Sequence, residues 1–260
     1  MKQPIKSHQL VCKPSESNAS RELPLTMLVA QMIDLATDHA NDLDIGYHKL
    51  SPRGVGWVLS RLSVEMRRWP STGEQYFLST WVENWNAHFS ERCFSVKTLE
   101  GEVLGYGRTV WVIIDLDSHR SVGTAGLILP EALIYGDGCP VPRMARHRPF
   151  ETDCESEYTF KYTDLDFYRH VNTVKYISLL LNQYTLSEFD SNLLSRFDIA
   201  FAHEARYGET ALIRSIEEEV KAPDLLPDAS ISKKRTFELT VSGTPILTAS
   251  IVMTPKPLEL

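Results

Sequence analysis

The chain has 260 residues, 43% hydrophobic and 23% charged, enough apolar content to bury a core in one large domain or two of ordinary size. Its formal net charge of −7 argues against general nucleic-acid binding, which needs a basic field, so an acidic partner has to meet a local cluster of cations. The four cysteines (Cys12, Cys93, Cys139, Cys154) lie far apart and the eight histidines are scattered; without a CxxC or HExxH pattern, reduced thiols are expected, and neither a metal nor another cofactor.

The opening MKQPIKSHQLVCKPSESNASRELP has no long apolar core of the kind a secretory signal needs. LTMLVAQMIDLA, the longest apolar candidate, is interrupted by Gln31 and Asp34 and falls short of the roughly 20 residues that span a bilayer. A cytoplasmic protein with no membrane association is expected. Pro24 suits a helix start, and Leu28, Met32, Leu35 and His39 recur at helical spacing behind it. Strand-like runs follow at residues 54–66, 75–85, 87–96 and 105–115. Their tryptophans Trp57, Trp81, Trp85 and Trp111 read as core.

The stretch CPVPRMARHRPF, rich in proline and arginine, joins this half to a second one. There DLDFYRHVNTVKY, residues 164–176, packs two aspartates, a histidine and an asparagine in front of a helical stripe of Val174, Ile177, Leu180, Leu181 and Tyr184. Strands are expected at residues 196–201, 210–218, 234–241 and 246–254. Glu217, Glu218 and Glu219 read as a solvated strand end.

The two halves are copies. Residues 60–74, SRLSVEMRRWPSTGE, align without gaps on residues 195–209, SRFDIAFAHEARYGE: Ser60/Ser195, Arg61/Arg196, Gly73/Gly208 and Glu74/Glu209 are identical, and the apolar alternation is kept. Further on, Phe94/Phe237, Val96/Leu239, Gly101/Gly243 and Leu104/Ile246 correspond at a slightly larger offset, the extra residues falling near the proline-marked loop at 221–228. One helix followed by several strands, repeated, predicts a tandem α+β protein whose sheets wrap their helices, divided into residues 1–145 and 146–260. The first copy carries SNASRELPLTM where the second has its aspartate-rich loop. Since a fold requirement should appear in both, the loop reads as more than a cap.

These residues bring a resemblance. The helix-strand duplication and the loop are similar to the acyl-acyl carrier protein thioesterases of plants and bacteria, built from two hot-dog domains. The family pattern is Asp-x-Asn-x-His-Val-Asn-Asn ahead of the second helix, then a strand glutamate. Asp166, His170, Val171, Asn172, Lys175 and Tyr176 stand where the pattern wants them, and Glu204 matches the glutamate. The resemblance covers most of the chain, leaving out residues 1–20 and 125–150. It departs at Tyr168, where the family has asparagine, and at Ala205, where many plant members carry cysteine, so no thiolate nucleophile stands in either block.

What the resemblance implies is a hydrolase that releases fatty acid from acyl carrier protein through activated water. The acyl chain would lie in the first domain, with the catalytic loop and glutamate in the second. Glu204 is favoured as base and Asp166 as the residue that holds its neighbours, their order left open. His170 donates to the carbonyl or orients a carboxylate, and Tyr168 modifies the site without abolishing it. Asn172 contributes substrate binding or only an N-cap, and the helix it opens offers backbone N–H groups to an oxyanion. On parity alone, with Glu204 placed on a strand beside Asp198, Ala200, Ala202 and Arg206, it would be a solvated acid. Arg143, Arg146 and Arg148 are the expected docking cations, ahead of Arg67 with Arg68 and Lys233–Lys234–Arg235. The resemblance also allows a homodimer. Two rival functions stay open: an acyl-CoA thioesterase and a non-catalytic carrier-binding protein.

Overall fold

The computed structural model describes residues 2–136, 138–226 and 231–256. The chain divides into two compact units, Met1–Val64 with Trp69–Arg143, and Glu65–Arg68 with Met144–Leu260. The short excursion Glu65–Arg68 is tied to the second unit by Arg196, whose guanidinium bonds to the Glu65 carboxylate and also to Asp198 at 2.7 Å. Residues 227 and 228 of the expected loop at 221–228 lie outside the described residues.

The first unit comprises β1 (Ile5–Val11), the helix α1 (Leu25–Asp42), the one-turn helix α2 (Tyr47–Leu50), β2 (Val55–Met66), β3 (Gln75–Trp85), β4 (Ser90–Thr98) and β5 (Val103–Asp115). Pro24 is the N-cap of α1, its fixed φ of −69° suiting a helix entry. Leu25, Leu28, Val29, Met32, Leu35, Ala36, His39 and Ala40 are buried, the three- and four-residue spacing that lays one stripe of a helix on a sheet. The helix stops where Asp44 turns left-handed (φ 63°) and Gly46 passes so close that a Cβ there would lie 2.2 Å from the Asn41 Oδ1. The strands run in the order β1-β3-β4-β5-β2, with β1, β3, β4 and β5 paired antiparallel. At Gly107 on β5 an added Cβ would meet the Met32 Cε at 2.5 Å, so α1 sinks onto the sheet through a methionine set over a glycine.

The second unit repeats this plan: β6 (Glu155–Thr159), α3 (Thr173–Leu181), α4 (Leu186–Ser191), β7 (Asn192–Phe201), β8 (Thr210–Lys221), β9 (Ile231–Val241) and β10 (Thr244–Pro255), in the order β7-β10-β9-β8-β6. Tyr176, Ile177, Leu179 and Leu180 are the buried face of α3, which ends at Leu181, so Tyr184 stands beyond the helix. The expected strands are present, β7 to β10 each extending beyond its predicted run. Sequence periodicity missed β1 and β6, short strands without a buried residue. The glutamates of β8 are solvated and laddered on β9 in the register Glu217↔Arg235, Glu218↔Lys234, Glu219↔Lys233. Lys233 and Arg235 both pair with Glu217, and Lys234 with Glu218. The described cysteines are free thiols, Cys12, Cys93 and Cys139 buried and Cys154 exposed.

One polar contact inside the first unit is unusual. Arg92 of β4, 4% exposed, donates to the His39 Nδ1 at 2.8 Å, and the His39 Nε2 then donates to the Gln3 carbonyl at 3.0 Å. That pattern requires a neutral imidazole. Burial, and next the Arg92 charge, lower its pKa from 6.5 to about 4, against the smaller opposing pulls of the Gln3 carbonyl and then Asp42. The unfolded chain therefore takes up a proton at His39 before the folded one does. The associated stability is fully present above pH 6.5 and is lost as pH falls to about 4, a loss of about 3 kcal/mol at 1.36 kcal/mol per unit. His39→Gln keeps one acceptor and one donor without titrating. Thermal melts of this variant between pH 6.5 and 4 should show a shallower acid limb than the parent; parallel limbs would refute the assignment.

Candidate active site

The aspartate-rich loop is built in two layers. Asp164, 7% exposed, closes a 3-10 turn by accepting from the Lys161 N–H at 2.8 Å and the Tyr158 hydroxyl at 3.0 Å, while its carbonyl takes the Asn172 N–H at 2.8 Å. Asp166 then folds the next four residues back: its Oδ1 accepts the N–H groups of Tyr168 (2.8 Å) and His170 (3.1 Å). Its own N–H donates to the His170 carbonyl at 2.8 Å, and Arg169 adopts the left-handed region (φ 67°) to complete the turn.

The first unit contains the same loop. There Asn18 Oδ1 accepts the N–H groups of Ser20 (2.9 Å) and Glu22 (3.0 Å), the Asn18 N–H donates to the Glu22 carbonyl, and Arg21 is left-handed (φ 59°). This corrects the sequence argument that the loop belongs to one half. Asn18 and Asp166 both supply an oxygen acceptor at the same place, and hydrogen-bond geometry hides under dissimilar letters. The skeleton is a fold requirement, and the difference between halves lies in the side chains it carries. His170 stands where the first unit has Glu22, and Asn172 where it has Pro24.

Glu204 is held by the connection after β7. That strand ends at Phe201, so the glutamate lies in the turn toward β8 and strand parity does not apply to it, correcting the expected strand position. Its neighbours are fixed on both sides. His203 Nδ1 bonds to the Pro245 carbonyl at 2.8 Å, the buried Ala205 donates its N–H to the Tyr176 hydroxyl at 3.1 Å, and the Ala205 carbonyl accepts the Val171 N–H at 2.9 Å. A bridge between His170 and Arg206 continues that pairing. It has its counterpart in the first unit, where Glu22 bridges Ser71 and Leu23 donates to the Pro70 carbonyl at 2.8 Å; Trp69 occupies the place of Glu204. Gly73 and Gly208, with φ of 87° and 81°, make the turn that follows in each copy.

The pairing sets His170 beside Glu204, with Nδ1 3.3 Å from Oε2. The imidazole is 17% and the carboxylate 39% exposed, so the pair is open to water from one side. Asp166 is one loop turn away and touches His170 through the backbone N–H. Asn172 is the N-cap of α3, its Oδ1 taking the Val174 N–H at 3.0 Å. Its carbonyl takes the Lys175 N–H at 2.9 Å, which leaves the Thr173 N–H as the donor at this helix end without a bond inside the described residues. Tyr168 is 44% exposed with its ring 4.1 Å from that of Phe167.

Sequence reasoning missed the work of Tyr176 and Asp164. Burial pushes the Tyr176 phenol above its usual pKa, so it stays protonated and neutral while its oxygen anchors the glutamate loop. Its place one helical turn after Asn172 was the available signal. The expected docking arginines have different situations. Arg143 bonds to the buried Glu91 at 2.7 Å, whereas Arg146 and Arg148 are exposed on either side of His147, which pairs with Glu238 at 2.6 Å.

The chain matches the family described as acyl-ACP thioesterase N-terminal domain over residues 8–126 and the acyl-ACP thioesterase C-terminal domain over residues 147–241. Among curated proteins it is 27% identical over 180 residues to a chloroplastic palmitoyl-acyl carrier protein thioesterase of Gossypium hirsutum, a match covering 65% of this chain and 42% of that protein. It is 25% identical over 165 residues to an oleoyl-acyl carrier protein thioesterase of Arabidopsis thaliana, covering 58% and 45%. The chain thus spans less than half the length of these relatives. Its fold matches an acyl-ACP thioesterase from Bacteroides thetaiotaomicron (TM-score 0.84, 24% identity, covering 96% of this chain and 98% of that one). It also matches the 12:0-ACP thioesterase from Umbellularia californica (TM-score 0.78, 18% identity, 98% and 96% covered). The expected double hot-dog fold is borne out.

The Asn18 loop yields a test. Asp166→Asn preserves the acceptor oxygen and should leave the stability within about 0.5 kcal/mol, whereas Asp166→Ala orphans two N–H groups and should lower it by about 1–2 kcal/mol in denaturant melts. Equal losses would show that the charge of Asp166, rather than its geometry, organises the loop.

Proposed function

As the chain belongs to the acyl-acyl carrier protein thioesterase family, we propose that it hydrolyses the thioester of fatty acyl-carrier protein and releases free fatty acid. The observation that carries this reading is the His170–Glu204 pair on a backbone that the other half of the chain builds without it. Thioester hydrolysis needs a base for the attacking water and a donor for the developing oxyanion.

Glu204 is the base, held at the mouth of the pair with enough exposure to receive a water molecule. His170, contacting it through Nδ1, holds the carboxylate in place and carries the proton it collects. Asp166 acts through the backbone, as the organiser of the loop that presents His170. The Thr173 N–H, at the positive end of α3, is the donor best placed among the helix amides to meet the oxyanion, with Asn172 closing the adjacent amide. The acyl chain belongs under α1 in the first unit, where the Met32–Gly107 contact sits midway along the apolar stripe. Burying two further methylenes there would gain only about 1.6 kcal/mol, so a sharp chain-length limit needs a blocking side chain such as Met32.

Assay of acyl-carrier thioesters against the matching coenzyme A thioesters tests the whole reading. Preferential release of free fatty acid from the carrier substrate is expected. A preference for coenzyme A substrates, or turnover of neither, would replace it with one of the rival functions. Within that assay Glu204→Gln and His170→Ala should each lower kcat by about 10²-fold or more. Wild-type rates in either would dissolve the site.

Tyr168 is the departure from the family pattern. Its ring packs on Phe167 at the rim, and its N–H serves the Asp166 turn whatever the side chain. Tyr168→Phe should therefore change kcat by less than about tenfold; a drop near 10²-fold would make its hydroxyl an oxyanion donor.

A further inference from the structure

Phe167 and Tyr207 are 82% and 67% exposed, and Tyr168 is 44% exposed. Large aromatic side chains left in water mark interaction surfaces, and aromatics with arginine form the cores of protein interfaces. All three stand on the two loops that carry His170 and Glu204. The His170–Arg206 bridge and the Val171–Ala205 bond set Arg169 opposite Tyr207 in the same pairing, so the aromatics are interleaved with the exposed cations Arg169 and Arg206.

Arg169 has its counterpart in Arg21, but the fold does not require the aromatics or Arg206. On the equivalent loop of the first unit, Ala19 and Ser20 stand at the places of Phe167 and Tyr168, and Ser71 and Thr72 at those of Arg206 and Tyr207. Of the nearby acids Asp164 is buried, Asp166 is turned onto the Tyr168 and His170 N–H groups and Glu209 onto the Arg206 N–H at 2.7 Å, which leaves Glu204 of the pair as the exposed carboxylate among them. Two exposed arginines and three exposed aromatics thus border the pair in a chain that carries a net charge of −7.

The geometry points to this rim as the docking surface for the acidic carrier protein that delivers the acyl thioester, in place of the Arg143–Arg146–Arg148 stretch. The assignment rests on the hydrolase reading above for the identity of the partner. A cation such as Arg169 meets the acidic carrier surface, and Phe167 and Tyr207 bury their rings against it, next to where the thioester must enter.

The test pairs two substrates that differ only in the carrier: the acyl-carrier protein and the S-acyl-N-acetylcysteamine of the same chain. Phe167→Ser and Arg169→Asn, the latter a residue that tolerates the left-handed backbone, leave the His170–Glu204 pair untouched. Combined, they should raise KM for the carrier substrate about tenfold or more, keep kcat/KM for the small thioester within about twofold, and weaken binding of holo-carrier protein in titration calorimetry by a similar factor. Equal loss on both substrates, no change on the carrier, or the carrier effect appearing instead in Arg146→Glu with Arg148→Glu would each overturn the assignment. A parent protein that hydrolyses neither substrate, yet loses carrier binding in these variants, would sink the hydrolase reading and leave the surface standing.

Discussion

The site depends on a short antiparallel contact in which the residues entering a helix pair with the turn after a strand. In the second unit it is Val171 donating to Ala205; in the first it is Leu23 donating to Pro70. Backbone hydrogen bonds of this kind are indifferent to side chains, so one frame can be kept while everything mounted on it changes. The helix N-terminus is placed against the β7–β8 turn by this contact together with the Ala205 N–H on the Tyr176 hydroxyl and the His170–Arg206 bridge, and the distance from imidazole to carboxylate follows from them. The acid-base role proposed for the pair needs such a rigid mount, because general acid-base chemistry tolerates little error in separation.

Duplication makes the economy of the arrangement visible. The first unit retains the Asx loop, the left-handed arginine and the glycine turn, and has Glu22 and Trp69 where the second has His170 and Glu204. Trp69 is 4% exposed, so where the second unit presents a carboxylate to water the first buries an indole. One copy has put the position into its core while the other has left it at the surface. The same covalent frame therefore supports packing in one half and a polar pair in the other.

Much of this was legible in the letters. Apolar spacing located α1 and the strands β2 to β5, because one-sided burial imposes periods of 3.6 and 2. The identities at Gly73/Gly208 and Glu74/Glu209 exposed the repeat because a left-handed turn and its carboxylate cap admit few substitutes. Other features left no such trace. The edge strands β1 and β6 alternate only between half-buried and exposed positions, too weak a contrast to read. Glu204 looked like a strand residue because nothing in its letters shows that β7 stops at Phe201. Asn18 did not look like Asp166, although both offer one oxygen to the same two backbone positions.

The Met32–Gly107 contact carries a consequence for how this sequence can drift. The methionine methyl fills the volume that any side chain at position 107 would claim, so the two sites share one allotment of space. A side chain on β5 has to displace the flexible end of Met32 and is accommodated best where position 32 is shorter, and a shortened position 32 leaves a void until β5 grows to meet it. Among descendants the pair should covary as small-with-large or large-with-small, and each exchange would move the apolar wall under α1 from the helix to the sheet. The interior of this unit is thus free to change shape along a single coupled coordinate, with the helix, the strands and the loop frame unaltered.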